Sequence, residues 1–176
     1  MNVTLNLDMR QIRRSLQVLR DSAPDALARA LNRSRDSART VMVRAVAGDM
    51  KLLQKDVRGN VRTDDARPNR LVATMSASLK RIPLIKFKAT QFKAGVKATA
   101  GGSRKLYPGT FTARMRTGHE GVFTRRRKGG KRVGRLQIDE LHGPSIGHVF
   151  DKHAPAAMAR GEEQLRKNLT HEFRRV

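Results

Sequence analysis

Hydrophobic positions in the first part of the chain recur mainly at helical spacing. Val3, Leu5 and Leu7 alternate with polar residues, which predicts a short strand. Beyond them, apolar residues return every three or four positions, and this spacing indicates a single amphipathic stripe. The stripe consists of Ile12, Leu16, Leu19, Ala23, Leu27, Leu31, Ala38, Met42 and Ala45.

Pro24 interrupts the helical stripe. Ser22 or Ala23 is suited to cap a helix with Pro24 in its first turn, where Asp25 would interact favourably with the helix dipole. Two interpretations follow. The segment forms either one kinked long helix or two successive helices, and in both cases it ends near Gly48.

In the middle of the chain the hydrophobic period changes to two. A short helix is first predicted from Met50 to Arg58, and then a loop from Thr63 to Asn69 in which Pro68 breaks regular structure. Alternating apolar and polar residues next predict half-exposed antiparallel strands with lysines on the open face. These strands cover residues 71–80, 85–88 and 92–98. A glycine-containing loop is predicted over residues 101–109.

A basic hairpin is predicted from Val122 to Ile138. Gly129 and Gly130 separate two segments capable of forming strands, and both glycines can adopt the positive φ angles of a tight turn. The hairpin contains seven basic residues and no acidic ones. Like charges at its tip repel one another, so a partner that neutralises them would order the arm.

A last apolar stripe predicts a C-terminal helix that starts near Pro155. Its members are Ala154, Met158, Leu165, Leu169 and Phe173. The predicted fold class is α+β: the N-terminal helix or kinked pair and the C-terminal helix pack on an antiparallel sheet with a basic hairpin arm. The length suits one domain, 1–176. Residues 1–60 provide the strand and helices, 70–138 the sheet and hairpin, and 139–176 a linker and the last helix.

The net charge of +23 is extreme for 176 residues and is unevenly distributed. Residues 99–135 contain 11 basic residues and 1 acidic residue, whereas residues 139–176 contain 6 of each. Such a charge favours a polyanionic partner: nucleic acid, an anionic membrane or an acidic protein surface. Aromatic residues that could stack on bases are scarce, so contact with nucleic acid is expected at phosphates.

Composition and spacing exclude most enzymatic sites. The chain has no cysteine, no apolar leader segment and no apolar run long enough to span a membrane, which predicts a protein made and kept in the cytosol or built into an assembly there. His142, His148 and His153 lack the spacing of a metal-dependent nuclease. Tyr107 lies in a predicted loop without the arginine and histidine set of a recombinase. No cofactor is expected.

The candidate site is therefore a cationic surface that faces DNA or an acidic partner. Its predicted members are Arg104, Lys105, Arg125, Arg126, Arg127, Lys128, Lys131, Arg132 and Arg135.

Four segments, in this order, resemble the minor tail protein Z family of tailed bacteriophages. They are the alanine-rich helix 22–33 that begins at Pro24, the proline-aliphatic strand 82–86, the glycine-flanked basic run 125–132, and the segment 138–146. The resemblance extends over nearly the whole chain. It implies a non-enzymatic virion protein, assembled in the host cytoplasm, that completes the tail at its head-proximal end.

The resemblance also implies partners. These are further copies in a hexameric ring around the DNA channel, and the tail terminator, tail tube or head connector proteins, with possible non-specific contact to duplex DNA and none to membranes. The charge alone equally supports a cytoplasmic nucleic-acid-binding protein that contacts phosphates non-specifically. A DNA-processing enzyme is the most distant alternative.

Overall fold

The computed structural model describes residues 3–6, 23–128, 131–132 and 137–173. The predicted stripe residues Ile12, Leu16 and Leu19 lie outside the described residues. Among the described residues the α+β prediction is confirmed: one short strand precedes a long helix, and a series of antiparallel strands separates that helix along the chain from a second long helix. None of the described helices is long and apolar enough to cross a bilayer.

The first long helix, α1, runs from Ala23 to Met50 as 28 residues. Pro24 stands in its first turn, as predicted, because a first-turn residue needs no N–H donor. The helix continues past Gly48, the predicted end. Instead, the N–H of Leu52 donates to the carbonyl of Ala47 over 3.1 Å, and Lys51 takes a left-handed conformation with φ 55°. The pair of buried residues, Ala47 and Leu52, fixes this Schellman-type end.

A short helix, α2, follows at Gln54–Arg58. It begins four residues later than predicted and ends at the predicted residue. The second long helix, α3, covers Gly147–Phe173 and so begins eight residues, about two turns, before Pro155. The predicted start at Pro155 is wrong. The residues before it include Phe150, whose side chain is fully buried, and burial of this first segment offsets the roughly 3 kcal/mol cost of an interior proline.

The two long helices lie antiparallel against each other. Arg29 and Arg33 near the start of α1 pair with Glu172 near the end of α3, whereas Asp49 near the end of α1 accepts a hydrogen bond from His153. Their contact face is rich in small buried residues: Ala26, Ala30, Ser34, Ala38, Ala157 and Gly161. Small side chains let the helix axes approach closely, so Gly161, which weakens an isolated helix, is accommodated at the contact.

The strands form small antiparallel sheets. Several of them contribute to the main core, the cluster of buried apolar residues that includes Met42, Val46, Met75, Phe87 and Phe150. The first sheet has the order β1 (Val3–Asn6), β3 (Thr74–Ala77), β2 (Val61–Asp64). The second contains β4 (Thr90–Phe92), β5 (Gly95–Ala98) and β6 (Lys105–Pro108) in that order. The third has the order β11 (Ile138–Glu140), β8 (Glu120–Arg125), β7 (Thr110–Arg114).

Five predictions are wrong in part: the strands 71–80, 85–88 and 92–98 and the loops 63–69 and 101–109. The predicted loop 63–69 begins inside β2, and the predicted strand 71–80 is reduced to β3. Residues Leu84–Lys86 form a 3-10 helix, because Leu84 and Phe87 both turn inward and a strand would place them on opposite faces. Residues 92–98 split into β4 and β5, and the predicted loop 101–109 contains β6 with Tyr107.

Candidate cationic interface

The structure separates the charges of the chain. No carboxylate side chain occurs between Asp65 and Glu120, a segment that holds 12 basic residues and runs from β3 to β7. Several exposed carboxylates lie instead on the two long helices: Asp25, Asp36, Asp49, Asp151, Glu162 and Glu163. The sheets β4–β5–β6 and β7–β8 therefore form a lobe in which cations have few acidic neighbours. We call it the cationic lobe.

The predicted hairpin falls partly within the described residues. Backbone pairing joins Arg125 to Ile138, and the short strands β9 (Arg127–Lys128) and β10 (Lys131–Arg132) pair antiparallel. Arg135 and the glycine turn lie outside the described residues, as do the side chains of β9 and β10. The charged arm and its surface stay a prediction.

Arg126 is already neutralised within the chain. Its guanidinium donates from Nε to Oδ2 of Asp139 over 3.1 Å and from Nη2 to Oδ1 over 2.5 Å. This fork matches the two carboxylate oxygens. The hydrogen bonds from Arg126 hold the pKa of Asp139 below its usual value, and the same bonds raise the pKa of Arg126. The pair links Arg126, the residue after β8, to Asp139 of β11 and so connects the two sides of the hairpin at its base.

Arg125 lies beside an aromatic ring. Its guanidinium carbon is 5.4 Å from the centroid of Phe111, which in turn approaches Phe123 on the neighbouring strand at 6.3 Å. The contact is within the range of a cation–π interaction and leaves Arg125 half-buried. This side chain is thus held at the end of β8.

The other two predicted cations belong to a different sheet. Arg104 donates from Nη2 to the hydroxyl of Thr90 over 3.2 Å, and Lys105 begins β6 opposite Ala98. Both side chains are exposed. The predicted site residues whose side chains the structure describes therefore fall in two groups, Arg104 and Lys105 at the β4–β5–β6 sheet and Arg125 and Arg126 at the base of the hairpin.

The sequence-based prediction missed part of the cationic lobe. Register aligns Thr90, Lys97 and Leu106 across the β4–β5–β6 sheet, and the Lys97 ammonium lies 4.7 Å from the centroid of Phe92. Phe92 and Leu106 are exposed. Leu106 is not identified from the sequence as a surface residue of a sheet, because the sequence predicts a loop over residues 101–109. Leu106 and Tyr107, between Lys105 and Pro108, nevertheless fit a short edge strand.

An open groove of about 500 Å³ lies between β4 and β7. Arg114 and Glu120 are the two ionisable residues that line it among the described residues, and they form an exposed ion pair with Nε–Oε1 at 3.7 Å. Gln91 bridges the walls by accepting the N–H of Thr112 over 2.8 Å. The lining supplies neither a nucleophile next to a base nor a convergent set of carboxylates, so the groove has no evident catalytic arrangement.

The three histidines considered as metal ligands lie in separate surroundings. His142 contacts the carbonyl of Glu140 at 3.2 Å, His153 lies 2.8 Å from Oδ2 of Asp49, and His148 is exposed on α3. Within the described ranges no group of three or more histidine or acidic side chains is arranged to hold a metal ion. Tyr107, considered as a nucleophile, packs against the main core from β6.

Comparison with known proteins agrees with the order of segments noted in the sequence. Searches of curated proteins and of solved structures give no significant match. The family comparison does give one, and it covers residues 9–176, which include both long helices and the whole cationic lobe. The match is to the family described as Prophage minor tail protein Z (GPZ), and the chain therefore belongs to this family.

Proposed function

We propose that the protein completes the phage tail at its head-proximal end, where it joins the tail tube or terminator to the head connector. As a member of a minor tail protein family, it has a structural role in the tail. In the proposed arrangement, copies of the chain form a hexameric ring around the DNA channel. The protein acts there by binding its neighbours and not by catalysis.

The observation that carries this proposal is the separation of charge on one fold. The long helices pack on each other through small residues and carry both signs of charge, which suits a rigid frame and contacts between subunits. The strands of the cationic lobe carry positive charges and one carboxylate, that of Glu120, which pairs with Arg114. A ring subunit at a tail end needs both features, because it must bind protein neighbours and accept DNA in its lumen.

We assign the hairpin, which continues from β8 of the cationic lobe, to the DNA channel. Its basic residues follow one another in a short stretch, and the Arg126–Asp139 pair anchors its base. Contacts to phosphates suit arginine-rich loops and carry no sequence information. DNA that passes through the channel has to be contacted independently of its sequence, and phosphate contacts meet this requirement.

The test uses the chain in its own prophage. Arg125, Arg126 and Arg127 are replaced together by glutamine, and particles made after induction are counted by electron microscopy and by infectivity. Loss of the charges of Arg125 and Arg127 at the channel, together with the Arg126–Asp139 pair at the base of the hairpin, is expected to leave tails of normal length and to lower the yield of joined or DNA-retaining particles at least tenfold. Averaged images of tail ends report the copy number of the ring.

The matched control removes three charges elsewhere. Arg58, Arg62 and Arg67 are exposed, lie outside the long helices and the cationic lobe, and form no ion pair within the described part of the chain, so their replacement by glutamine should leave particle yield unchanged. Normal infectivity of the hairpin variant would contradict the proposed role of the hairpin. A tail end without this protein would contradict the proposed position.

A second candidate function is a cytoplasmic nucleic-acid-binding protein, which the net charge of +23 supports. A dedicated binder that neutralises six or more phosphates should lose roughly 10³-fold or more in affinity for duplex DNA between about 50 and 200 mM salt. A tail component should bind short free DNA weakly and fractionate with tails. Tight binding of a monomer to short duplexes at physiological salt would favour the second function.

A further inference from the structure

We propose that the outer face of the β4–β5–β6 sheet is a docking surface for an acidic neighbouring virion protein. The occupant presents carboxylates around an apolar contact. The inference rests on the proposed function in one respect, namely that the neighbour belongs to the same virion. It assigns a partner to a surface that lies apart from the basic hairpin.

Strand register defines which residues share this face. Lys97 lies opposite Thr90 on one side and Leu106 on the other, and Phe92 and Pro108 lie opposite Gly95. Their neighbours Val96 and Tyr107 point to the inner face, where Val96 is fully buried and Tyr107 packs against the main core. Alternation along each strand therefore puts Phe92, Lys97, Leu106 and Pro108 together on the outside.

The centre of the face is apolar and accessible. Phe92 and Leu106 each expose 42% of their surface, and Pro108 is also exposed. Gly95, which is buried between Phe92 and Pro108, has to be glycine, since a Cβ there would come within 2.1 Å of the carbonyl oxygen of Tyr107 and its φ is 148°. Exposed aromatic and aliphatic residues grouped on one sheet face are typical of protein contact surfaces.

Cations lie at the rim of the face and beside its apolar centre. Arg104 reaches Thr90 at the edge of the sheet, and Lys93 lies exposed in the turn between β4 and β5. Lys97, on the central strand, stands over the Phe92 ring. None of these three cations forms an ion pair among the residues that the structure describes, and the surrounding segment from Asp65 to Glu120 contains no carboxylate between its ends. A matching surface therefore carries acidic groups at its rim.

The same features argue against two other occupants. DNA would pair its phosphates with Lys97 and Arg104 but would leave Phe92 and Leu106 without an apolar counterpart, and duplex phosphates offer none. A second copy of this chain adds a net charge of +23, and in the proposed ring the copies meet through the long helices, which leaves this face to a different protein. An acidic protein with exposed apolar side chains satisfies both the centre and the rim.

The experiment places a photo-crosslinking amino acid at Leu106 in the full chain, expressed from its prophage. Leu53 is the matched control position, because it is an exposed leucine (64%) at the start of α2, outside the β4–β5–β6 sheet. Irradiation of purified tails is expected to give one crosslinked virion protein from position 106 and not from position 53. Mass spectrometry identifies that protein.

A binding measurement then shows whether the crosslinked protein binds specifically to this face or was only nearby when the tails were irradiated. The identified protein is purified and titrated onto the wild-type chain and onto the variants Phe92→Ser and Lys97→Glu, both at exposed or half-exposed positions whose folding is checked by circular dichroism. Each variant should weaken binding at least tenfold, and binding of the wild type should weaken as salt rises. Replacement by lysine of the acidic residue of the partner that lies next to the crosslinked position should restore binding to Lys97→Glu.

Several results would overturn the docking surface. Crosslinks to DNA, crosslinks to a second copy of this chain, or the same products from positions 106 and 53 would each do so. If tails that contain the protein form normally and no crosslink appears, the docking surface is wrong and the proposed function stands. A specific acidic partner that is not a virion protein would instead support the surface and contradict the proposed function.

Discussion

At the scale of single residues, the backbone of Lys51 and the side chain of Asp139 should each affect the free energy of unfolding. Lys51 ends α1 in the left-handed region, which costs a residue with a Cβ about 1 kcal/mol relative to glycine. Asp139 carries the charge that neutralises Arg126 at the base of the hairpin. Each can be tested without disturbing the core.

Replacement of Lys51 by glycine should stabilise the protein. Glycine adopts φ 55° without steric cost, so the free energy of unfolding should rise by about 0.5–1 kcal/mol in denaturant titrations. Lys55→Gly is the control, because it removes the same charge from an exposed position in α2 and should cost about 1 kcal/mol. A loss of stability on Lys51→Gly would contradict the left-handed assignment.

The Arg126–Asp139 pair predicts a specific pH dependence. Because hydrogen bonds from Arg126 lower the pKa of Asp139 in the folded chain, the pair contributes to stability at neutral pH and the contribution disappears as pH falls through that lowered pKa. Carbon-detected NMR titration should show Asp139 titrating below an ordinary aspartate. In Arg126→Gln the pKa should return toward the usual value, and an unchanged titration would mean that the pair does not form in solution.

At the scale of elements, the long helices are joined at one end by a buried carboxylate. Glu172 on α3 is 2% exposed, and its oxygens accept from Nε of Arg29 at 2.8 Å and from Nη1 of Arg33 at 2.6 Å, both on α1. A buried carboxylate without a cationic partner is costly, whereas this one is paired with Arg29 and Arg33. The contact fixes how the start of α1 lies against the end of α3.

Glu172→Gln should loosen the helix pair. The amide keeps the shape of the side chain but loses the charge that both guanidinium groups face, so the free energy of unfolding should fall by about 1–3 kcal/mol. Thermal unfolding followed by circular dichroism measures the change. Glu162→Gln, at an exposed position on the same helix without an ion pair in the described part of the chain, should have no comparable effect.

At the scale of the whole molecule, the net charge opposes folding. The chain carries +23, and its acid-free segment concentrates positive groups on one lobe, so self-repulsion raises the energy of the compact state. Salt screens this repulsion, with a Debye length of about 10 Å at 0.1 M that falls to about 3 Å at 1 M.

The midpoint of thermal unfolding should therefore rise with sodium chloride between about 0.1 and 1 M. Scanning calorimetry of the isolated chain measures it. The hairpin variant with glutamine at 125, 126 and 127 should show a smaller rise, because less repulsion remains to be screened. A midpoint that falls with salt would mean that attractive ion pairs outweigh the net repulsion.

Local signals in the sequence were sufficient for the helices and for the sign of the charge. The apolar stripe from Ala23 to Met42 and the stripe from Met158 to Leu169 both form buried helix faces, because helical period alone decides which side chains share a face. The absence of carboxylates between Asp65 and Glu120 is likewise a property of the chain before it folds.

Tertiary structure decided where the elements end and which residues share a surface. Leu84 and Phe87 form a 3-10 turn because both are drawn into one core, and α3 extends back to Gly147 because Phe150 is buried there. Likewise, only pairing across strands puts Phe92 and Leu106 on one face. Side-chain periodicity is local and can be read along the chain, whereas burial and strand register arise from contacts between distant segments, which the folded chain alone brings together.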